Sequence, residues 1–418
     1  MSRYKVYEDA LAEELIPAMG CTEPIAIAYC AAVCREQLGV FPEKVDIWVS
    51  RNIIKNVKSV VVPNTDKMKG IEVACAAGLV AAHSERQLEV LAYIDEAEKE
   101  AIKRFIAADV IKVHVSEEPD IFYIRIFAAA GANNAEVTIR TDHTNITEIK
   151  KNGATVLEKP IVPVEEEAKS LWTIEDVLEA ARNMPLDNVR HLLERQIDYN
   201  MAIANEGMRN DYGASIGKIL LQGNPESLRT QARAKAAAGS DARMNGCELP
   251  VVIVSGSGNQ GITASVPVVV YARALGSDTE KTLRAVLMSD LLTIYMKQGI
   301  GKLSAYCGAV SAGCGSGAAV AYLFDYTDEQ ITHVVENALA INSGIICDGA
   351  KSSCAAKIAM AVEGGLLGFD MARAERNFEG GDGIVQSTAD KTIAAVGKIA
   401  SQGMVETDKE IIDVMLGL

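Results

Sequence analysis

The sequence predicts an α/β N-terminal domain followed by a predominantly α-helical catalytic domain. Three observations carry that expectation. The chain has 418 residues, 49% of them hydrophobic and 23% charged, which suits two domains with real cores and excludes a disordered or low-complexity chain. Its first third mixes helical and strand-like periods. From Thr173 onward the pattern is mostly helical, interrupted by glycine-rich segments.

In chain order, Glu8 to Ile16 and Ile25 to Leu38 read as helices, broken by Pro17 and by a GCTEP turn that includes Pro24. The run VDIWVSRNIIKNVKSVVVP is rich in β-branched residues and reads as extended. Helical stretches follow at Ile71 to His83 and Asp95 to Ala108. VIKVHVSEE, DIFYIRIFAAA and AEVTIRTDHTNITEIKKNG then alternate and turn like antiparallel strands. LEKPIVPVEEEAKSLW, with Pro160, Pro163 and three consecutive glutamates, reads as a linker, so the expected domains are residues 1–165 and 166–418. Two long stretches carry no charge. Leu249 to Ala272 is long enough to span a bilayer by count, but its middle, SGSGNQGITAS with Pro267 beyond, has loop chemistry. Leu303 to Phe324 is loaded with Gly, Ser and Cys, and both stretches read as buried core.

Forty-one Lys and Arg stand against 56 Asp and Glu, a formal charge of −15, and no basic cluster offsets it locally. Nucleic acid and membrane are therefore excluded as expected partners, leaving a small-molecule enzyme or an interaction protein, either compatible with a homo-oligomer. MSRYKVYEDALAEEL lacks the apolar segment of a signal peptide, and nine cysteines is an odd number. The expectation is reduced thiols in a cytoplasmic protein.

The cysteines divide by context. Cys307 and Cys314 lie in YCGAVSAGCGSG, and Cys347 and Cys354 in IICDGAKSSC, each pair with six intervening residues. A zinc site more often uses shorter spacings, whereas an iron–sulfur cluster takes thiolates from separate loops. On pattern alone two readings stand: small buried residues where glycine-rich helices pack, or cluster ligands. Cys30 and Cys34, one helical turn apart, read as core, as does Cys75 in EVACAAGLV, and nothing local distinguishes Cys247. Cys21 precedes Thr22, Glu23 and Pro24 at the mouth of an apolar helix. Free N–H groups there would lower a thiol's pKa, making Cys21 a base or nucleophile; the plain alternative is a tight turn that contains a cysteine.

Gly256, Gly258 and Gly261 match G-x-G-x-x-G, with Asp278 twenty residues beyond Gly258. Only Ile262 to Val266 separate Gly261 from Pro267, too short for the helix that would carry a pyrophosphate, so a nicotinamide site is not expected. A loop whose backbone N–H groups and Asn259 amide hold a carboxylate or phosphate is the better reading, beside that of a sharp turn where backbones approach. Lys351 could serve a pyridoxal-phosphate enzyme, yet nothing around it marks a Schiff-base residue, and the five histidines form no H-E-x-x-H.

At GCTEP, GSGNQG and the Cys307, Cys347 and Cys354 set, the chain resembles the L-cysteine desulfidase family, related to the iron–sulfur L-serine dehydratases. The likeness runs through most of the chain. It implies a [4Fe-4S] cluster on three cysteines, and the family's steps of forty and seven residues fall on Cys307, Cys347 and Cys354, leaving Cys314 over. It implies that Cys21 accepts a proton during β-elimination of L-cysteine to pyruvate, ammonia and hydrogen sulfide. Related dehydratases can place a C-terminal cysteine against the cluster; this sequence ends VMLGL, so an open iron is expected. Ser255, Gly256, Ser257 and Asn259 are the expected carboxylate clamp, and Thr22 and Glu23 the ammonium contacts. The alternatives are an iron–sulfur L-serine dehydratase and a non-catalytic iron–sulfur sensor.

Overall fold

The computed structural model describes residues 3–160, 172–301 and 303–417. The expected linker and domain boundary fall largely on residues 161–171, outside the described residues. The N-terminal region is a mixed sheet with helices, and the region after Thr173 is mostly helical, as the sequence predicts.

Helix α1 (Lys5–Glu14) and the short strand β1 (Pro17–Met19) lead into α2 (Thr22–Leu38), which starts earlier than its apolar run and holds Pro24 in its first turn. Next come β2 (Lys44–Val49), α3 (Arg51–Val57), α4 (Ile71–Ala81) and α5 (Glu96–Ala107), the last opened by a reciprocal Asp95–Glu98 capping box. Strands β3 (Ile111–Val115), β4 (Tyr123–Ala130), β5 (Asn133–Arg140), β6 (Ile146–Lys151) and β7 (Ala154–Glu158) complete a six-stranded sheet ordered β3-β2-β4-β5-β6-β7. Period-two alternation sets its register: Ile47 faces Ile126, Ile126 faces Val137, and Val137 faces Ile149, an aliphatic row that helix α2 covers.

Two local expectations are corrected here. The β-branched run is a strand only to Val49, because Ser50 caps a helix by accepting from the Ile53 N–H at 3.4 Å. Strand β3 pairs parallel to β2, with α3, α4 and α5 lying between them in the chain, rather than joining an all-antiparallel set.

The helical region comprises α6 (Ile174–Asn183), α7 (Arg190–Arg209), α8 (Ile216–Gly223), α9 (Leu228–Met244), α10 (Gly258–Ala274), α11 (Thr279–Gln298), α12 (Ala309–Leu323), α13 (Asp328–Asn342), α14 (Cys354–Arg373), α15 (Ala389–Lys398) and α16 (Val405–Leu416). Strand β8 (Pro250–Val252) pairs antiparallel with β1, which ties the N-terminal segment to the helices. Almost every residue of α12, AVSAGCGSGAAVAYL, is buried, and a Cβ on Gly313 would stand 2.3 Å from the Ala361 carbonyl oxygen of α14. That close approach explains why a charge-free run so rich in glycine forms a central helix: the small residues are its packing surface.

The glycine-rich loop brings a third correction. Helix α10 begins at Gly258 and continues through Pro267, so the room judged too short does hold a helix. The helix is buried on nearly all sides, and that packing outweighs a proline penalty of about 3 kcal/mol. The strand before this helix, β8, has three residues and pairs antiparallel with β1, so the loop does not sit in a parallel βαβ unit. Among the described residues no helix is long and apolar enough to cross a membrane.

Candidate active site

Segments far apart in sequence meet at one cavity, with about 100 Å³ open to water-sized molecules, room for a small polar ligand. The first turn of α2 supplies Cys21, Thr22 and Glu23; the start of α10 supplies Gly256, Ser257, Asn259 and Gln260. Cys307 arrives just ahead of α12, Cys347 on the segment before α14, and Cys354 as the first residue of α14. The sheet side contributes His143 from the β5–β6 turn with Lys55 and Asn56 from α3.

Backbone pairing brings the three thiols to this place. The Cys307 N–H donates to the Ile345 carbonyl at 3.0 Å and the Cys347 N–H to the Ala305 carbonyl at 2.6 Å, so two loops run side by side. At the start of α14 the Lys351 N–H points to the Cys354 sulfur at 3.5 Å. All nine cysteines are unbridged, and these three are only partly buried, whereas Cys314 is fully buried inside α12 and does not line the cavity. Burial, with repulsion from Cys347 and Cys354, pushes the Cys307 thiol up to about 12; burial likewise pushes Cys354 up to about 11. Among the described residues no three His, Cys, Asp or Glu side chains are gathered to hold a metal ion. Three soft thiol donors from separate loops line one cavity, a donor set that suits an iron–sulfur cluster, which takes thiolates from separate loops. Cations stand close by: Lys357 pairs with Asp348, and buried Lys297 donates to the Gly301 carbonyl at 2.6 Å. Lys55 reaches Asp408 of α16 at 2.5 Å and lies 3.5 Å from the Cys347 carbonyl.

In the same cavity, where Cys354 packs against the small cluster of Cys21, Val60 and Met244, the Cys21 thiol donates to Glu23 Oε2 at 2.9 Å. The Thr22 hydroxyl stands 3.1 Å from both the same carboxylate oxygen and the Gly256 carbonyl, so it links GCTEP to the glycine loop. Cys21 occupies the N-cap position of α2 without capping it. The expectation of a lowered thiol pKa is corrected: complete burial and then the Glu23 charge push Cys21 well up, against the smaller opposing pull of Arg243. The helix terminus does not outweigh the lost solvation, and a proton must be drawn from Cys21 before it can act as a base.

Ser255 is buried beneath the loop in a left-handed conformation at φ 48°, its carbonyl 3.4 Å from Gln260 Nε2, and it does not line the cavity. Sequence reasoning missed Lys55, Asn56, His143, Arg243, Gln260 and Lys297. Arg243 and Lys297 had a signal, a cation within an Ala-rich or apolar helical run; His143, on a polar turn, had none. Among the described residues, four polar atoms on cavity-lining side chains are buried without a hydrogen-bond partner: Arg243 Nε, His143 Nε2, Asn259 Oδ1 and Gln260 Oε1. A polar ligand entering the cavity would find both donors and acceptors to pair with.

A mixed-sheet region joined to a helical bundle, with three thiols and a thiol–carboxylate pair lining the same cavity, is the arrangement of an iron–sulfur dehydratase-like protein. The chain belongs to the serine dehydratase alpha chain family, which it matches over residues 85–413. That match takes in the glycine loop and the three cysteines but not Cys21. Similarity to individual proteins extends further. A UPF0597 protein of Desulfitobacterium hafniense is 50% identical, covering 99% of this chain and 97% of that protein. One of Lachnoclostridium phytofermentans is 45% identical, with 99% and 100% covered, and one of Treponema denticola 43%, with 99% and 98% covered.

Proposed function

We propose that the protein is an L-cysteine desulfidase, a carbon–sulfur lyase that eliminates sulfide from L-cysteine and releases pyruvate and ammonia. The observation that carries this reading is the single cavity in which the Cys21–Glu23 pair and the thiols of Cys307, Cys347 and Cys354 are neighbours. Those three cysteines would hold a [4Fe-4S] cluster. When bound, it supplies a Lewis-acidic iron toward the departing sulfur.

The chain's own residues do the rest. Glu23 takes the Cys21 proton along their hydrogen bond, and the resulting thiolate removes the Cα proton of the substrate. The C–H electron pair becomes the Cα=Cβ bond while the Cβ–S pair leaves with sulfur. The enamine product tautomerises and hydrolyses in water. Thr22 keeps the pair in register with the glycine loop, and Ser257, Asn259 and the N–H groups at Gly256 hold the substrate carboxylate.

Dehydration of L-serine at the same site is the second reading, favoured by the family's description. Steady-state pyruvate release by protein reconstituted anaerobically with iron and sulfide decides between them. A higher kcat/KM on L-cysteine is expected; a higher value on L-serine would make the protein a dehydratase, and none on either would remove the lyase assignment.

A further inference from the structure

Among the described residues Arg243 is the one arginine that lines the cavity, buried at 3% exposure, and none of the ion pairs or hydrogen bonds found there ties it to a carboxylate. Its Nε, buried, has no hydrogen-bond partner. A guanidinium withdrawn from water without an anion is costly, so a fold that keeps one there has reserved it for something that binds.

Its position identifies that something. Arg243 sits at the last turn of α9, and its guanidinium lies directly on Gly258, the first residue of α10: a Cβ there would stand 2.5 Å from Nε and 2.8 Å from Cζ. Only glycine lets the guanidinium lie against the helix end. Helix α10 has 17 residues, and its N-cap residue Ser257 makes no side-chain cap. The first N–H groups of a helix have no intrahelical acceptor and favour an anion. An unpartnered guanidinium and an uncapped helix terminus therefore converge on one point of the cavity.

Resting on the elimination reading, we propose that Arg243 and the N-terminus of α10 form the anchor for the α-carboxylate of the substrate, which confines the site to amino-acid substrates with a free carboxylate. Recognition of this kind places the carboxylate at the α10 end and leaves the thiol wall of Cys307, Cys347 and Cys354 to the substrate's β-substituent. A planar guanidinium matches a carboxylate with two parallel hydrogen bonds, and lysine cannot reproduce that geometry.

The test compares two non-substrate probes by equilibrium titration on the reconstituted protein: 3-mercaptopropionate, which has the thiol and the carboxylate, and cysteamine, which has the thiol and the ammonium. Wild-type protein should prefer 3-mercaptopropionate. Arg243→Gln should weaken that probe about 10- to 100-fold, the range for losing a charge-assisted contact, and leave cysteamine within about twofold. Gly258→Ala, compatible with the helical backbone, should displace the guanidinium and weaken the same probe selectively, which keeps the test open if Arg243→Gln does not fold. Equal weakening of both probes, weakening of neither, or a wild-type preference for cysteamine would overturn the anchor. Because neither probe is turned over, absence of pyruvate from L-cysteine and L-serine would sink the elimination reading alone and leave this measurement standing.

Discussion

Helices α2 and α12 lie in different parts of the molecule, one against the sheet and one at the centre of the bundle, yet they distribute their cysteines alike. Each has a thiol at its N-terminal end in the cavity, Cys21 and Cys307, and thiols further along in the core. In α2 the core thiols are Cys30, 3.5 Å from the Val137 carbonyl, and Cys34, 3.5 Å from the Ala135 carbonyl, both locked onto the sheet. In α12 it is Cys314, surrounded by bundle helices. They differ in where burial acts. Cys21 is buried beside a carboxylate that can take its proton, whereas Cys314 is held protonated mainly by burial and its ionisable neighbour is the buried Tyr306 hydroxyl, itself pushed up by burial. Burial alone makes a cysteine inert; burial beside a proton acceptor or other thiols gives it work.

The largest effects should fall on the cavity thiols. Cys307→Ala, Cys347→Ala and Cys354→Ala should each lose most of the roughly four irons per chain that a cubane cluster implies, measured by iron assay after anaerobic reconstitution, while Cys314→Ala keeps them. Loss of iron in Cys314→Ala with retention in Cys307→Ala would reverse the comparison within α12. Gly313→Val comes next: its side chain would drive α12 from the Ala361 carbonyl of α14, and thermal denaturation should register a loss of about 3 kcal/mol or more.

Those two predictions also divide what was legible from what was not. The sheet was readable because Val45, Ile47 and Val49 alternate with residues of the other face, a period that survives without tertiary information. The helix at Arg51 was hidden because its apolar residues are β-branched and only Ser50 announces it. Helix α10 was hidden because Gly and Pro argue against helices locally, and only close packing in the bundle overrules them. In the site, GCTEP, the glycine loop and three cysteines could be picked out, since unusual residues in turns stand out. Arg243 and Lys297 left only a faint mark, a cation in an Ala-rich or apolar helical run, and His143 left none, because their importance lies in facing a cavity formed by distant segments.

A smaller effect should sharpen the contrast between core and cavity. Asp290 is fully buried in α11, where Gln196 Nε2 donates to its Oδ1 at 2.9 Å while Asp290 Oδ2 and Gln196 Oε1 have no partner. Burial raises its carboxyl from 3.8 to about 8, so the folded protein keeps a proton that the unfolded chain has released. Its contribution to stability is complete below about pH 4 and declines as pH rises through 8. Asp290→Asn offers a donor to Gln196 Oε1 without a charge, and should raise stability at pH 8 by about 1–3 kcal/mol and flatten the dependence in denaturant titrations between pH 5 and 8. An unchanged pH profile would show that Asp290 does not titrate there. Smallest of all, Cys314→Ala should cost about 1 kcal/mol or less, the scale of a small core truncation, with no change in turnover.

The central claim, that Cys21 is the proton acceptor and not part of the scaffold or the ligand set, is tested most directly by solvent deuterium exchange at the Cα of L-cysteine in Cys21→Ser. A serine hydroxyl is too weak an acid to serve as the base, and losing a general base is worth roughly 10²–10⁴ in rate. With iron content and cluster absorption equal to wild type, exchange and pyruvate release should both fall by that factor. Exchange at the wild-type rate in a variant with an intact cluster would contradict the account and move the base to another residue of the cavity.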